Sequence, residues 1–219
     1  KFWRTLFMVT IAVPQFVTLL LVRNFFSNNG IFNTMMANAG VTDFLHNIGL
    51  LDKGLSYIPF LTQPGWAMFT IIMINIWIGV PYQMLIATGV LMNIPSDQLE
   101  SAKIDGATPM QSLIHITMPY MLFVTGPSLV TDFVKNINNF NVIYLLTIGR
   151  PASPDLVTSG GSATTTDLLI TWLFNITTGA TSNYKLAAVI AIMIFVVVAV
   201  LSLIVYNVIP STRNEEDYS

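Results

Sequence analysis

The sequence predicts an all-α membrane protein, and three observations support that class. Of the 219 residues, 53% are hydrophobic and 9% are charged, whereas a soluble domain averages about a quarter charged residues. The mean hydropathy is positive, at +0.67, and apolar runs long enough to cross a bilayer recur along the chain. The chain has no cysteine and a formal net charge of −2, which exclude thiolate metal sites and argue against a nucleic-acid partner.

Four transmembrane spans are predicted from these apolar runs. Two of them carry no charged residue, although Gly79 and Pro81 favour a kink in one of the two. Another carries Asp132, Lys135 and four asparagines, which predict a helix that is locally broken or lines a cavity. The four runs cover residues 3–26, 64–92, 119–147 and 186–208.

The segments between the spans are polar. Residues 27–63 contain turn-forming residues and a weak amphipathic stretch, and residues 148–185 contain an apolar patch at 168–174 that predicts a short surface helix. An even number of spans places both chain ends on the same side as residues 93–118. Lysine and arginine are balanced between the two sides, so they do not fix the orientation.

The most informative polar segment is the charged island at residues 93–118. A polar loop of this length is too costly in hydrocarbon and must lie in water. We predict that Ser96 caps a first helix, with Glu100 in its first turn, where the helix dipole favours an acid. Gly106 should end or bend that helix, and Pro119 should start the next span.

The same island has a pattern that is found in a known family. Glu100-Ser101-Ala102 is followed by Asp105-Gly106-Ala107, and Ile116-Thr-Met118-Pro119 closes the pattern. It resembles the EAA loop of permease subunits in binding-protein-dependent ABC importers. Ser101 stands where that family has alanine, and Met118 where it has leucine.

The resemblance implies an ABC type I importer permease fold with a core of six or more helices. Because four spans are visible, we expect one permease domain over residues 1–219 whose N-terminal part is missing. Residues 93–119 would form a cytoplasmic coupling loop whose short helices bind in a groove of an ATPase subunit. Residues 27–63 and 148–185 would be extracytoplasmic. The alternative for the loop is an ordinary connection between two helices.

Polar residues also lie on one face of each of two spans. Asn75, Gly79 and Tyr82 recur at helical spacing in one span, and Asp132 and Asn139 begin and end a similar series in another. Such faces should point to a protein interior or a water-filled path. Amides that both donate and accept hydrogen bonds suit sugar hydroxyls. They could instead join helices, and Asp132 and Lys135 could form a structural ion pair.

Both spans are similar to segments of the maltose/maltodextrin-type sugar permeases. In those proteins the corresponding positions line a substrate site midway across the membrane. Asp132 and Lys135 depart from that pattern, standing where the maltose permease has serine and phenylalanine, so an aromatic platform is missing and the sugar is left open. Substrate-binding residues are therefore expected at Asn75, Ile78, Gly79, Tyr82, Asp132, Lys135, Asn136 and Asn139.

The resemblance implies the transmembrane subunit of an ATP-driven importer for a sugar, such as a maltodextrin. The chain lacks a P-loop, a metal-ligand cluster and a nucleophile–base arrangement. We expect no enzyme activity and no cofactor on this chain, with ATP and Mg²⁺ bound by partner subunits. The expected partners are a second permease subunit, two ATP-binding subunits, an extracytoplasmic sugar-binding protein and the lipid of a prokaryotic cytoplasmic membrane.

Two other functions stay open at this point. One is an ABC permease for a different small polar solute, such as an amino acid. The other is an ion-coupled secondary transporter or channel component, in which Asp132 and Lys135 would be the coupling groups.

Overall fold

The structure is a computed structural model that describes Thr5 and residues 11–52, 54–148, 151–158, 161–179 and 182–208. The described residues are mostly helical, with one two-stranded antiparallel hairpin. The elements are α1 Gln15–Phe25, α2 Ile31–Asn38, α3 Val41–Asn47, α4 Pro64–Met92, α5 Ser96–Ile104, α6 Pro109–Ser112, a π-turn Leu113–Thr117, α7 Met118–Ile137, α8 Phe140–Thr147, β1 Ala152–Thr158, β2 Gly161–Thr164, α9 Leu169–Thr178 and α10 Tyr184–Val208.

Three helical stretches of the described chain are long and apolar enough to cross a membrane. They are Pro64–Met92, Pro109–Thr147 and Tyr184–Asn207, and they confirm three of the four predicted spans. The remaining prediction, residues 3–26, is described only in part. Its second half is the 11-residue helix α1, which follows Pro14, while residues 1–4 and 6–10 lie outside the described residues. That span stays a prediction.

The chain divides into two compact units, and most of the buried apolar core lies in the first unit, residues 9–78 and 138–192. There α1 packs against α8, and α9 packs against both α8 and β2. Five aromatic rings join the loop after α1 to the start of α4, with neighbouring centroids 4.8 to 5.7 Å apart. These rings are Phe25, Phe26, Phe32, Phe60 and Trp66.

The second unit, which among the described residues comprises Thr5 and residues 79–137 and 193–208, buries much less apolar surface. Leucine, isoleucine, valine and phenylalanine side chains on α7 and α10 are widely exposed; Phe195, for example, is 72% exposed. Helices that are apolar over their exposed faces suit lipid or further membrane helices as neighbours, because both are as apolar as the side chains themselves.

The predicted break in the third span is confirmed. Helix α7 ends at Ile137 and α8 begins at Phe140, so the two asparagines between them interrupt the helix. Asparagine suits such a break because its side-chain oxygen can replace a backbone acceptor at a helix start. The Asn139 oxygen does so, accepting a 3.4 Å hydrogen bond from the Val142 amide.

The predicted start of that span at Pro119 is wrong. The helical run already begins at Pro109, and Pro119 is the second residue of α7. The π-turn Leu113–Thr117 lies directly before it, and the Met118 amide donates to the Leu113 carbonyl, five residues back. Proline lacks an amide donor and crowds the carbonyl four residues before it. The widened turn accommodates that defect inside a continuous helix.

Residues 148–185 contain more order than the sequence predicts. The surface helix predicted at 168–174 is confirmed as α9. The hairpin β1–β2 was not predicted; its strands pair with Ala152 opposite Thr164 and Thr158 opposite Gly161.

Candidate functional site

The predicted coupling loop, residues 93–119, contains a helix, a glycine turn and a second short helix. Gly106 has a φ of 78°, the left-handed region that costs a side chain strain. Its amide donates to the Lys103 carbonyl at 3.1 Å, and the Ala107 amide donates to the Ala102 carbonyl at 2.9 Å. This pair of bonds is a Schellman motif, so the prediction that Gly106 ends the first helix is confirmed.

The predicted start of α5 is wrong by one residue. The helix begins at Ser96 itself, its N-cap is Pro95, and no side chain caps it. The Ser96 hydroxyl instead donates to the Asp97 carboxylate at 3.3 Å. Asp97 occupies the first turn, which leaves Glu100 in the second turn, beyond the strongest effect of the helix dipole.

The second short helix, α6, begins with a side-chain cap that was not predicted. The Thr108 hydroxyl accepts from the Gln111 amide, and the Gln111 side chain accepts from the Thr108 amide at 2.8 Å. With Pro109 at the first helical position, Thr-Pro-x-Gln is a readable capping-box pattern.

The loop exposes both its motif residues and large apolar side chains. Glu100, Ser101, Asp105 and Gly106 are exposed, whereas Ala102 and Ala107 are half-buried. Ile104 is 86% exposed and Met110 is 63% exposed. Apolar side chains displayed on a polar loop mark a surface suited to contact with another protein.

In the first unit, two predicted substrate residues are bonded to each other. The Asn139 amide donates to the Asn75 side-chain oxygen at 2.8 Å, which joins α4 to the break before α8. This is the helix–helix bond that stood as the alternative to sugar binding. Ile78, the third predicted residue in this unit, is half-buried and packs against the apolar core.

In the second unit, Asp132 has a partner that was not predicted. The Gln83 amide donates to the Asp132 carboxylate, joining α4 to α7. Within the described residues no ion pair joins Asp132 to Lys135, so the suggested pair between them is wrong, and the Lys135 side chain is exposed. Gln83 could have been found, because it is polar within a charge-free span.

The remaining predicted residues of the second unit are all exposed. Tyr82 is 50% exposed. Gly79 is exposed as well, and a Cβ added to it would have no neighbouring atom within 4 Å. The Asn136 amide donates to the Asp132 carbonyl of its own helix at 2.8 Å. The eight predicted substrate residues are divided between the two units: Asn75, Ile78 and Asn139 belong to the first, and Gly79, Tyr82, Asp132, Lys135 and Asn136 belong to the second.

The first unit also contains a polar cleft of about 340 Å³ that was not predicted. It lies where α1 and α8 end and just before α4 begins. Leu61 and Leu146 are its buried apolar lining residues. Its polar lining includes Arg23, Asn24, Asn28, Asn29, Thr62 and Thr147.

The wall of this cleft after α1 is held by buried hydrogen bonds. Asn33 is 4% exposed, and its side-chain amide donates to the Ser27 carbonyl at 3.0 Å and the Ile58 carbonyl at 3.1 Å. Its side-chain oxygen accepts from the Ile58 amide at 2.9 Å. A Cβ at Gly30 would lie 2.6 Å from the Asn24 carbonyl oxygen, so only glycine fits that turn.

Comparison with known proteins gives one family over almost the whole chain. Residues 1–214 match the family described as binding-protein-dependent transport system inner membrane component. The maltodextrin transport system permease protein MdxF of Bacillus subtilis (strain 168) is 37% identical over 99% of this chain and 47% of its own length. The galactooligosaccharides transport system permease protein GanP of the same organism is 35% identical over 98% of this chain and 47% of its own length.

A more distant relative and a solved structure agree with this result. The maltose/maltodextrin transport system permease protein MalF of Klebsiella aerogenes is 32% identical over 92% of this chain and 37% of its own length. A chain of a bacterial ABC transporter involved in the import of the acidic polysaccharide alginate matches with a TM-score of 0.59. It is 23% identical, with 97% of this chain and 72% of that chain covered, which shows a shared fold. This chain spans less than half the length of the curated relatives.

Proposed function

Because the chain belongs to the inner membrane components of binding-protein-dependent transport systems, we propose that it is a transmembrane subunit of an ATP-driven importer for an oligosaccharide. The observation that carries the proposal is the coupling loop. It is a folded helix–glycine–helix turn between two membrane-spanning helices, and it exposes Glu100 together with apolar Ile104 and Met110. Such a surface suits contact with a partner protein.

The proposed partner at this loop is an ATP-binding subunit. Two such subunits, a second permease and an extracytoplasmic sugar-binding protein would complete the importer, with ATP and Mg²⁺ on the ATP-binding subunits. ATP would act as a ligand that favours one of two global states. Because the Schellman motif and the Thr108 cap fix α5 and α6, movement of the bound loop would be transmitted to α4 and α7 rather than absorbed locally.

An oligosaccharide is the proposed substrate because of the relatives' names and the polar groups in the spans. Relatives are named for maltodextrin and galactooligosaccharides. Asn75, Asn139 and Gln83 place neutral amides on membrane-spanning helices, and amides both donate to and accept from sugar hydroxyls. A permease for another small polar solute would use the same groups, so transport specificity decides between these two substrates.

Membership of this family does not support the ion-coupled transporter or channel that the sequence left open. Asp132 accepts a hydrogen bond from a neutral amide in the described structure, which is a structural role that requires no coupling ion.

The test is a substitution that removes only the exposed apolar contact of the loop. In proteoliposomes containing the full importer and its binding protein, Ile104→Ser should reduce sugar uptake and sugar-stimulated ATP hydrolysis about tenfold, as for loss of one buried interface side chain. The matched control is Ile48→Ser, since Ile48 is 49% exposed outside the loop and the same change there should leave both rates within about twofold.

Two outcomes would contradict the proposal. One is that Ile104→Ser and Glu100→Ala both leave uptake and ATP hydrolysis at the control level. The other is that the intact wild-type complex shows no ATP hydrolysis in response to any sugar-loaded binding protein.

A further inference from the structure

The side chains that line the polar cleft at the ends of α1 and α8 indicate which chemical group it binds. Arg23 provides the charge, and amide and hydroxyl side chains surround it. We propose that this cleft receives a carboxylate side chain of the extracytoplasmic binding protein, with Arg23 as its anchor. The inference rests on the proposed function, because it assumes an importer that works with such a protein.

A carboxylate is favoured over other ligands by the donors present. A guanidinium offers a planar fork that matches a carboxylate with two parallel hydrogen bonds. Among the described residues the cleft lining contains no acidic side chain to neutralise Arg23 and no aromatic ring on which a sugar could stack. Its volume of about 340 Å³ is at the low end for small-molecule sites, so it accommodates one or two side chains rather than an oligosaccharide.

The cleft is preformed, so little conformational entropy of its loops and side chains is lost when the partner binds. Arg23 lies in the last turn of α1, where a cation is favoured by the helix dipole. In the turn that follows, the Ser27 hydroxyl donates to the Asn24 carbonyl at 2.8 Å. The Asn33 side-chain amide in turn donates to the Ser27 carbonyl. On the other side, the Thr147 hydroxyl contacts the Thr166 hydroxyl at 3.3 Å.

Chain order places the cleft on the side proposed to face the binding protein. Its lining comes from the end of α1, from residues 61–62 and from the end of α8. Residues 61–62 immediately precede the 29-residue membrane-spanning helix α4, whereas the coupling loop follows the other end of that helix. A partner bound at the cleft and an ATP-binding subunit bound at the loop would therefore be on opposite sides of the membrane.

The experiment measures how the binding protein stimulates ATP hydrolysis by the complete importer in nanodiscs. For Arg23→Gln, the concentration of binding protein that gives half-maximal stimulation should rise about tenfold, with the maximal rate unchanged. Arg23→Lys should recover part of the loss, since it keeps the charge but not the fork. The matched control is Lys185→Gln, which removes an exposed cation of the same unit outside the cleft and should shift the value less than about twofold.

Salt provides a second readout that a folding defect would not reproduce. Raising ionic strength should weaken stimulation of the wild type more than stimulation of Arg23→Gln, because a rim charge acts largely through screened electrostatics. Equal effects of Arg23→Gln and Lys185→Gln would overturn the inference while leaving the importer proposal intact. A fall in maximal rate at saturating binding protein would also overturn it, because the cleft would then act on the transported sugar. If the wild type is not stimulated at all, the importer proposal itself fails.

Discussion

Asn33 shows how one buried amide can fix a loop in a chain with few polar contacts. Its side chain satisfies both the amide and the carbonyl of Ile58, which is 25 residues away, and also the Ser27 carbonyl. Asn33→Leu should leave these buried backbone groups unpaired, at a cost of about 1–3 kcal/mol for each group. We expect a clearly lower Tm for the purified complex by scanning fluorimetry.

The control for that substitution is available on the same helix. Asn38 is exposed at the end of α2, and Asn38→Leu should change Tm little. If Asn33→Leu and Asn38→Leu both have the Tm of the wild type, Asn33 does not hold the loop. A variant that keeps its Tm but loses stimulation by the binding protein would give Asn33 a direct contact instead.

Single residues were predictable from the sequence where the reason is local. Gly106 was predicted because a helix end favours a left-handed residue, and its φ of 78° agrees. The capping box at Thr108 was equally readable but was missed. Gln83 was recognisable as a polar residue in a charge-free span, but its bond to Asp132, 49 residues away, was not predictable. The role of Asn33 was not predictable either, because its partner Ile58 is 25 residues away and no local pattern specifies a distant partner.

At the scale of the element, the glycine turn between α5 and α6 makes a prediction that depends on the backbone alone. A Cβ at Gly106 would meet no atom within 4 Å, so Gly106→Ala should act only through left-handed strain, about 1–2 kcal/mol. We expect reduced sugar uptake per ATP hydrolysed in proteoliposomes. Gly106→Asn should be milder, because asparagine tolerates this conformation.

Gly65 provides the comparison for this loop substitution. It lies in the first turn of α4, its Cβ position is also open, and its φ is not positive. Gly65→Ala should therefore leave uptake and ATP hydrolysis unchanged. Equal behaviour of Gly106→Ala and Gly65→Ala would show that the shape of the turn is not needed for coupling.

The break between α7 and α8 allows sugar binding and helix packing to be separated. The Asn139–Asn75 bond should give a coupling energy of about 0.6 kcal/mol in a double-mutant cycle with Asn75→Ala and Asn139→Ala, the average for bonds between membrane helices. As a single substitution, Asn139→Ala should lower the free energy of unfolding by about 1 kcal/mol more than Asn75→Ala does. The reason is that it also removes the cap of α8. Reversible unfolding in mixed micelles measures both terms.

Transport kinetics of the same variants complete that test. If Asn75→Ala raises the KM for sugar without changing stability, the amide contacts the substrate. If stability falls and the KM of the active fraction is unchanged, the bond is structural, and the predicted substrate role of Asn75 is wrong.

Helices and strands differ in how far the sequence predicted them. The spans predicted at 64–92, 119–147 and 186–208 were recognisable because apolar runs of that length have few alternatives. In the structure the second of them begins ten residues earlier, at Pro109. The strand Ala152–Thr158 was missed because Pro154 and Asp155 disfavour strands and no alternation marks a buried face. The π-turn before Pro119 was not predictable, because proline commonly starts a helix, whereas here it is accommodated inside a continuous one.

For the whole molecule, the central question is what energy drives transport. The family to which the chain belongs depends on a binding protein, and ATP is the proposed source of energy. An ion gradient would instead require a carboxylate within the spans to bind and release a coupling ion. Asp132 is the carboxylate of α7 on which this alternative depends, and its neighbour in the structure is the neutral amide of Gln83.

Asp132→Asn distinguishes the two energy sources, because it removes the charge and keeps an oxygen that can accept from Gln83. We expect ATP-dependent sugar uptake into proteoliposomes to stay within about twofold of the wild type, and an ionophore to have no effect on either protein. Asp132→Leu should be worse, since it leaves the Gln83 amide unpaired at a cost of about 1–3 kcal/mol, seen as a lower Tm. Loss of uptake in Asp132→Asn, with ATP hydrolysis and Tm preserved, would instead assign ion coupling to this carboxylate.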